Sequence, residues 1–163
     1  MGWLFSHNPL HGKKEQVQEN LRSFAQGIRV LDHAVVGNNH WMLIELPQGD
    51  RLIALTLMKP GGANWTLDET VGPVEVNCPL RLLNKASEPK NDLSREWRER
   101  VRQFHTQASA YKKAKAALQP GDRLFYGNEW YELVEPLGRK GWLVRCLNTG
   151  VILRAKAHQI ASS

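Results

Sequence analysis

A long amphipathic segment near the middle of the chain most constrains its fold. Residues 93–119 place apolar side chains at spacings of three, four and seven, and Pro120-Gly121 follows directly. This spacing puts the apolar side chains on one helical face, and a Pro-Gly pair ends a helix. We therefore expect one long helix whose apolar stripe packs on a sheet of the same chain or on a second copy. Lys115 interrupts the stripe, which favours the chain's own sheet.

The segment before this helix has the pattern of a small α+β domain. Residues 12–27 space apolar side chains as in a short helix that ends at Gly27. Three apolar-rich runs separated by turn sequences then follow: 28–37, 40–46 and 51–59. Short turns between such runs predict antiparallel strands. We expect a helix on a three-stranded antiparallel meander, in a domain covering residues 1–90.

The segment after the helix contains four short apolar runs separated by Gly- and Asn-containing turns. The runs are DRLFY, EWYELVE, GWLVRCL and VILRAKA, and they start about every 8–12 residues. This spacing predicts a small SH3-like β-barrel over residues 120–163. The fold class is therefore α+β, with a long basic helix at 91–119 connecting the domain at 1–90 to the barrel.

Composition indicates a folded chain rather than a disordered one. Of 163 residues, 42% are hydrophobic and 23% are charged, which is typical of globular proteins. No apolar run reaches the roughly 18–20 residues of a membrane span, so we expect a cytoplasmic protein without membrane contact. Two cysteines, Cys78 and Cys146, lack any paired spacing and predict neither a disulfide framework nor a metal site.

Catalytic motifs are not evident in this sequence. Phosphate-binding glycine loops and nucleophile motifs such as GxSxG are missing. Asp68, Glu69 and Glu75 are clustered carboxylates that would suit Mg²⁺, but acidic residues before Thr-x-Gly-Pro also cap turns. We favour the turn and predict a protein that is not an enzyme and uses no cofactor.

Positive charge is confined to the second half of the chain. Residues 1–90 contain nine basic and nine acidic side chains, whereas residues 91–163 contribute the whole net charge of +6. On the helix, Arg95, Arg98 and Arg102 form one basic edge, and Lys112 and Lys113 follow near its end. Such an edge suits phosphate contacts, although ion pairs within the helix would also explain it.

The predicted barrel places aromatic residues among basic ones. Trp130, Tyr131 and Trp142 interleave with five cations that could contact nucleic acid: Arg123, Arg139, Lys140, Arg145 and Arg154. Base stacking together with phosphate attraction is how single strands are often bound. A protein-docking barrel and a purely structural one remain alternatives, because a barrel of this size also needs aromatic residues for its core.

The central stretch resembles a known family. Two segments, 66–84 and 96–103, are similar to the signature block of uncharacterised small proteins carried by phages, prophages and plasmids. The matching positions are Gly2, Trp3, Asp68, Glu69, Thr70, Gly72, Pro73, Cys78, Pro79, Trp97, Arg98 and Arg100. Leu67 and Val71 stand where family members often have Met. The resemblance implies a mobile-element accessory protein with a two-part fold, and it supplies no catalytic role.

Two functions follow as hypotheses. The first is non-catalytic binding of nucleic acid by the basic helix and the barrel. The alternative is an inhibitor or adaptor that binds a host protein through the irregular stretch 63–79, with Trp65, Asp68 and Glu69 as contact residues. The sequence allows either a monomer or a dimer.

Overall fold

The computed structural model describes residues 2–5, 13–24, 27–58 and 64–161. Within these ranges, the side chains of residues 2–5, 64, 157 and 161 are not described. It is a mixed α+β chain with two antiparallel sheets and one long helix. The helices are α1 (Lys13–Arg22), α2 (Leu80–Leu83), α3 (Asp92–Ala117) and α4 (Ala157–Ala161). The strands are β1 (Gly2–Phe5), β2 (Arg29–Val36), β3 (Asn39–Glu45), β4 (Arg51–Leu57), β5 (Asn64–Asp68), β6 (Arg123–Tyr126), β7 (Glu129–Pro136), β8 (Trp142–Cys146) and β9 (Ile152–Ala155).

The chain divides into two compact units, Met1–His105 and Thr106–Ser163. The predicted boundaries set the helix apart as a connector at 91–119, whereas the observed division falls inside α3. The first half of α3 therefore belongs to the first unit and its second half to the second. Within the part of the chain that the structure describes, no helix is both long and apolar enough to cross a bilayer.

The first unit is built on a five-stranded sheet of order β1-β5-β4-β3-β2. The three predicted runs form β2, β3 and β4, each antiparallel to the next. The sheet is larger than a three-stranded meander, because β5 pairs with β4 and β1 pairs with β5. The sequence NWTLD of β5 is only five residues long, too short for its alternation to stand out within an irregular stretch. Lys59 and residues 60–63 lie outside the described residues.

Both faces of this sheet are covered, which explains why β3 and β4 are apolar on both sides. On one face, Trp41 packs with α2 and with Trp97 and Val101 of α3; the Trp41 and Trp97 ring centroids lie 5.8 Å apart. On the other face, Met42 and Ile44 pack with Leu21 of α1 and with Phe24. The expectation of a helix over one face and a later element over the other agrees with this packing.

The second unit contains a four-stranded antiparallel sheet of order β6-β7-β8-β9. Its core consists of Leu133, Trp142, Val144 and Ile160. Among the described residues β6 and β9 do not pair, so the sheet is open and a closed SH3-like barrel is not observed. The spacing of the runs predicts the number and order of the strands, whereas closure of a barrel depends on strand tilt and stagger, which the spacing does not contain.

Candidate functional site

The strand register of the second sheet separates an outer face from a core face. Arg123, Glu132, Arg145 and Ile152 lie opposite one another across the four strands. Tyr131 and Cys146 are each one residue away from this row along their strands, so they belong to the opposite face. Tyr131 is partly buried there and Cys146 is fully buried. Because side chains alternate between faces along a strand, the first row belongs to the exposed face.

A pair of aromatic side chains lies on the same exposed face. Phe125 of β6 is opposite Trp130 of β7, and their ring centroids are 5.3 Å apart. Both are about half exposed, at 49% and 52%. The amide of Leu147 donates to the Trp130 carbonyl at 2.9 Å, which places this exposed apolar side chain in the same row.

The structure separates the three aromatic residues that the sequence grouped together. Trp130 is on the exposed face, whereas Trp142 is 7% exposed and belongs to the core. Tyr131 packs against the same core. The sequence interpretation missed Phe125, although its parity with Arg123 in the run DRLFY places both on one face of a strand.

An apolar cleft of about 320 Å³ lies beside this aromatic pair. Asp122 and Arg123 of the loop and strand contribute polar groups to its wall. Its apolar lining residues are Leu118, Leu124, Phe125, Trp130, Leu133 and Ile160. A flat apolar ring of a ligand could therefore contact both the aromatic pair and the wall of the cleft.

The second unit has a large excess of positive charge. Residues 106–163 contain nine Lys and Arg side chains against four Asp and Glu, a net charge of +5. Among the described residues of this unit, Arg145 alone has a carboxylate within 4.0 Å, that of Glu132 at 3.8 Å. The eight others have no such partner among the described residues: Lys112, Lys113, Lys115, Arg123, Arg139, Lys140, Arg154 and Lys156. All eight are exposed except half-buried Lys115.

The predicted basic edge on the first half of α3 is different. Arg95 contacts Asp92 at 2.6 Å, and Arg102 contacts Glu99 at 2.7 Å, both within the helix. Arg98 is not on an exposed edge at all, because it is 4% exposed and paired with Glu69. The sequence places the three arginines correctly on one helix, but the spacing does not reveal that their charges are compensated.

Glu69 and Arg98 form a buried ion pair at the centre of the first unit. Nε and Nη2 of Arg98 donate to the two carboxylate oxygens at 2.5 and 2.8 Å. The Ser94 hydroxyl and the Ile53 amide also donate to this carboxylate, at 2.5 and 3.1 Å. The pair thus joins α3 to β4 and to the turn after β5.

The carboxylates predicted as partner contacts have structural positions instead. Asp68 accepts from the Thr70 amide at 2.9 Å and caps the 3-10 turn Glu69–Val71. Asp68 is 4% exposed and Glu69 is fully buried, so neither is available to a protein partner. Trp65, which is 54% exposed, is available. Among the described residues, no three His, Cys, Asp or Glu side chains are grouped as metal ligands.

The two cysteines are free and buried. Burial raises the pKa of Cys78 to about 12, and the nearby Glu69 carboxylate acts in the same direction. The thiol is therefore protonated at neutral pH and is a poor nucleophile. Its position in the core beside Leu82 and Trp97 agrees with packing as its role.

A polar chain that leads from the interior of the first unit to exposed His33 was not evident from the sequence. Gln16 donates to Asn20, and Asn20 contacts Nδ1 of His40 at 3.3 Å. Nε2 of His40 lies 3.2 Å from Nδ1 of His33. Burial, together with His33, lowers the pKa of His40 to about 4. The residues are distant in sequence and only the register of β2 with β3 and the packing of α1 bring them together.

Comparisons with known proteins do not indicate a function, so the functional conclusion depends on the chemistry of the site. No family model matches the chain, and no curated protein or solved structure matches it significantly.

Proposed function

We propose that this chain is a non-catalytic nucleic-acid-binding protein whose contact surface lies in the second unit. The observation that carries the proposal is a set of eight cations, in a unit of net charge +5, that have no carboxylate partner within the part of the chain that the structure describes. Phosphate groups are the densest source of negative charge that such a surface can meet, and their neutralisation releases condensed counterions.

The proposed contact residues lie on the part of α3 in the second unit, on one 3-10 turn and on three strands. Lys112 and Lys113 are exposed on α3, and Arg139 and Lys140 are in the 3-10 turn Gly138–Lys140. The strands contribute Arg123 and Arg154, and to a smaller extent Arg145, because the Glu132 carboxylate lies 3.8 Å from it. Arg95 and Arg102 contribute less, because a phosphate must compete there with a carboxylate of the same helix. Arg98 makes no contact, since it is buried.

A charge-matched pair of variants tests this assignment. Lys112→Ala with Lys113→Ala removes two unpaired cations from the second unit, and Lys13→Ala with Lys14→Ala removes two exposed lysines from the first. We expect the second-unit variant to weaken binding of labelled oligonucleotides at 50 mM salt by about tenfold, and the first-unit variant to leave it unchanged. Equal losses would show that net charge alone matters, and no binding by the unmodified protein would refute the function.

A protein partner is the second candidate, and one observation favours it. Trp65, Val71, Val74 and Leu93 are apolar side chains of the first unit that are 46–84% exposed. We expect Trp65→Ala with Val74→Ser to abolish capture of such a partner from host lysate without loss of thermal stability. Asp68 is not suited to this test, because its carboxylate caps a turn.

Other features of the proposal rest on the sequence alone. These are the mobile-element origin, the cytoplasmic location, the monomeric or dimeric state and the SH3-like character of the four-stranded second unit. None of them enters the argument for phosphate contacts.

A further inference from the structure

The aromatic pair on the second sheet points to the form of nucleic acid that is bound. Phe125 and Trp130 are half exposed although both are large apolar side chains. They border the apolar cleft of about 320 Å³ described above. We infer that the second unit binds single-stranded nucleic acid, with one base stacked on Trp130 at the mouth of this cleft; the inference rests on the proposed function.

The arrangement of charge around the pair agrees with a strand that lies across the sheet. Arg123 is two residues before Phe125 on β6, so the two side chains project from the same face roughly 7 Å apart. A base on the aromatic pair therefore has a guanidinium within reach of its phosphate. Arg154 lies on β9 at the opposite edge, where it can contact a later phosphate of the same strand.

Two carboxylates share this face and limit where phosphates can lie. Glu132 stands between Arg123 and Arg145 in one row, and Glu135 is opposite Leu143 in the next. Phosphates are therefore expected at the ends of the face, beside Arg123 and Arg154, rather than at its centre. The positions beside Trp130 suit bases, since Leu147 in the same row adds exposed apolar surface there.

A duplex does not fit this surface as well as a single strand does. In a duplex every base is paired and stacked on its neighbours, so an aromatic side chain gains contact only after a base is unstacked. A single strand presents its bases freely, and stacking on an aromatic side chain does not depend on base identity. The expected ligand is therefore a single strand of DNA or RNA, bound with little sequence preference.

The test compares four labelled probes with the full-length protein at 50 mM salt. The probes are dT12, rU12, a 12-base-pair duplex and an abasic dodecamer with the same phosphates and no bases. Loss of one stacked base costs about 5- to 150-fold in affinity. We expect dT12 or rU12 to bind at least about fivefold more tightly than the duplex and the abasic strand, and the better of the two identifies the sugar preferred.

The variant Trp130→Ala should remove this advantage, and Trp130→Phe should restore most of it. Trp65→Ala is the matched control, since Trp65 is exposed to the same extent but lies in the first unit. If all four probes bind equally and Trp130→Ala has no effect, the stacking inference is wrong while the proposed function stands. If no probe binds, both are wrong. Unchanged melting temperatures of the variants show that folding is intact.

Discussion

The two units of the chain use charged side chains in opposite ways. In the first unit several ion pairs connect elements of the fold, such as Arg29 and Arg51 with Glu45 across β2, β3 and β4. In the second unit eight of nine cations have no carboxylate partner among the described residues. Unpaired like charges repel one another and disfavour a compact state. Charge thus supports the structure of the first unit, whereas in the second it is available for a ligand.

The largest effect that this comparison predicts is at the buried pair of the first unit. Arg98→Leu leaves the Glu69 carboxylate buried without its partner, and loss of one member of such a pair costs about 3–5 kcal/mol. The free energy of unfolding in urea measures it, with Arg102→Leu as the control, because the exposed Arg102–Glu99 pair is worth about 1 kcal/mol or less. A double variant, Glu69→Leu with Arg98→Leu, should recover part of the loss. Equal effects of Arg98→Leu and Arg102→Leu would remove the distinction between buried and exposed charge.

A fall in pH should lower the free energy of unfolding of the first unit, because His40 becomes protonated. The pKa of His40 is about 4 in the fold, against 6.5 in the unfolded chain, so its stabilisation is complete above pH 6.5 and is lost as the pH falls to about 4. Because Nδ2 of Asn20 can only donate, the neutral His40 ring accepts at Nδ1 and donates from Nε2 towards His33, and protonation replaces the acceptor by a second donor. The loss amounts to about 3 kcal/mol.

Thermal or urea unfolding between pH 7 and pH 4 measures this loss. The variant His40→Gln should be less stable than the unmodified protein at pH 7 and should show a smaller change between the two pH values. The same pH dependence in both proteins would assign it to the carboxylates instead.

The second unit should depend on close backbone packing at Gly141 more than on its charges. Gly141 has φ +104°, and a Cβ there would lie 2.0 Å from the Ala155 carbonyl oxygen. We expect Gly141→Ala to destabilise this unit by more than the roughly 1–3 kcal/mol that the strained backbone conformation alone costs. Gly121→Ala is the control, since Gly121 has a similar φ of +92° but open space around it. A comparison of the two variants by thermal unfolding separates backbone strain from steric overlap, and equal losses would mean that Ala155 moves away easily.

The fold was predictable where a pattern extends over many residues. The apolar stripe repeats along most of the 26 residues of α3, and the runs of β2 to β4 have turns between them, so the type and order of these elements follow from the sequence. β5 was missed because five residues within a Pro- and Gly-rich stretch give too short a pattern. β1 was missed because its pairing with β5 depends on residues 59 to 65 positions away.

Of the candidate site, only the excess of positive charge was predictable from the sequence. The sequence shows that the cations of α3 and the second sheet outnumber the carboxylates, but burial and pairing are tertiary properties. Arg98 looks like Arg95 and Arg102 in the sequence, and only Glu69, 29 residues away, distinguishes it. Likewise, Phe125 becomes a partner of Trp130 through the register of β6 with β7.

The salt dependence of binding tests most directly the claim that the second unit's unpaired cations contact phosphates. Each phosphate contact contributes about 0.7–0.9 to the slope of log affinity against log salt concentration. Four to six contacts predict roughly a hundredfold or greater loss between 50 and 200 mM salt. Replacement of Lys112, Lys113 and Arg123 by Ala should reduce that slope by about 2–3, whereas replacement of Arg95 and Arg102 should change it by less than 1. Binding that is independent of salt, or a slope that falls more with the first-unit arginines, would contradict the account.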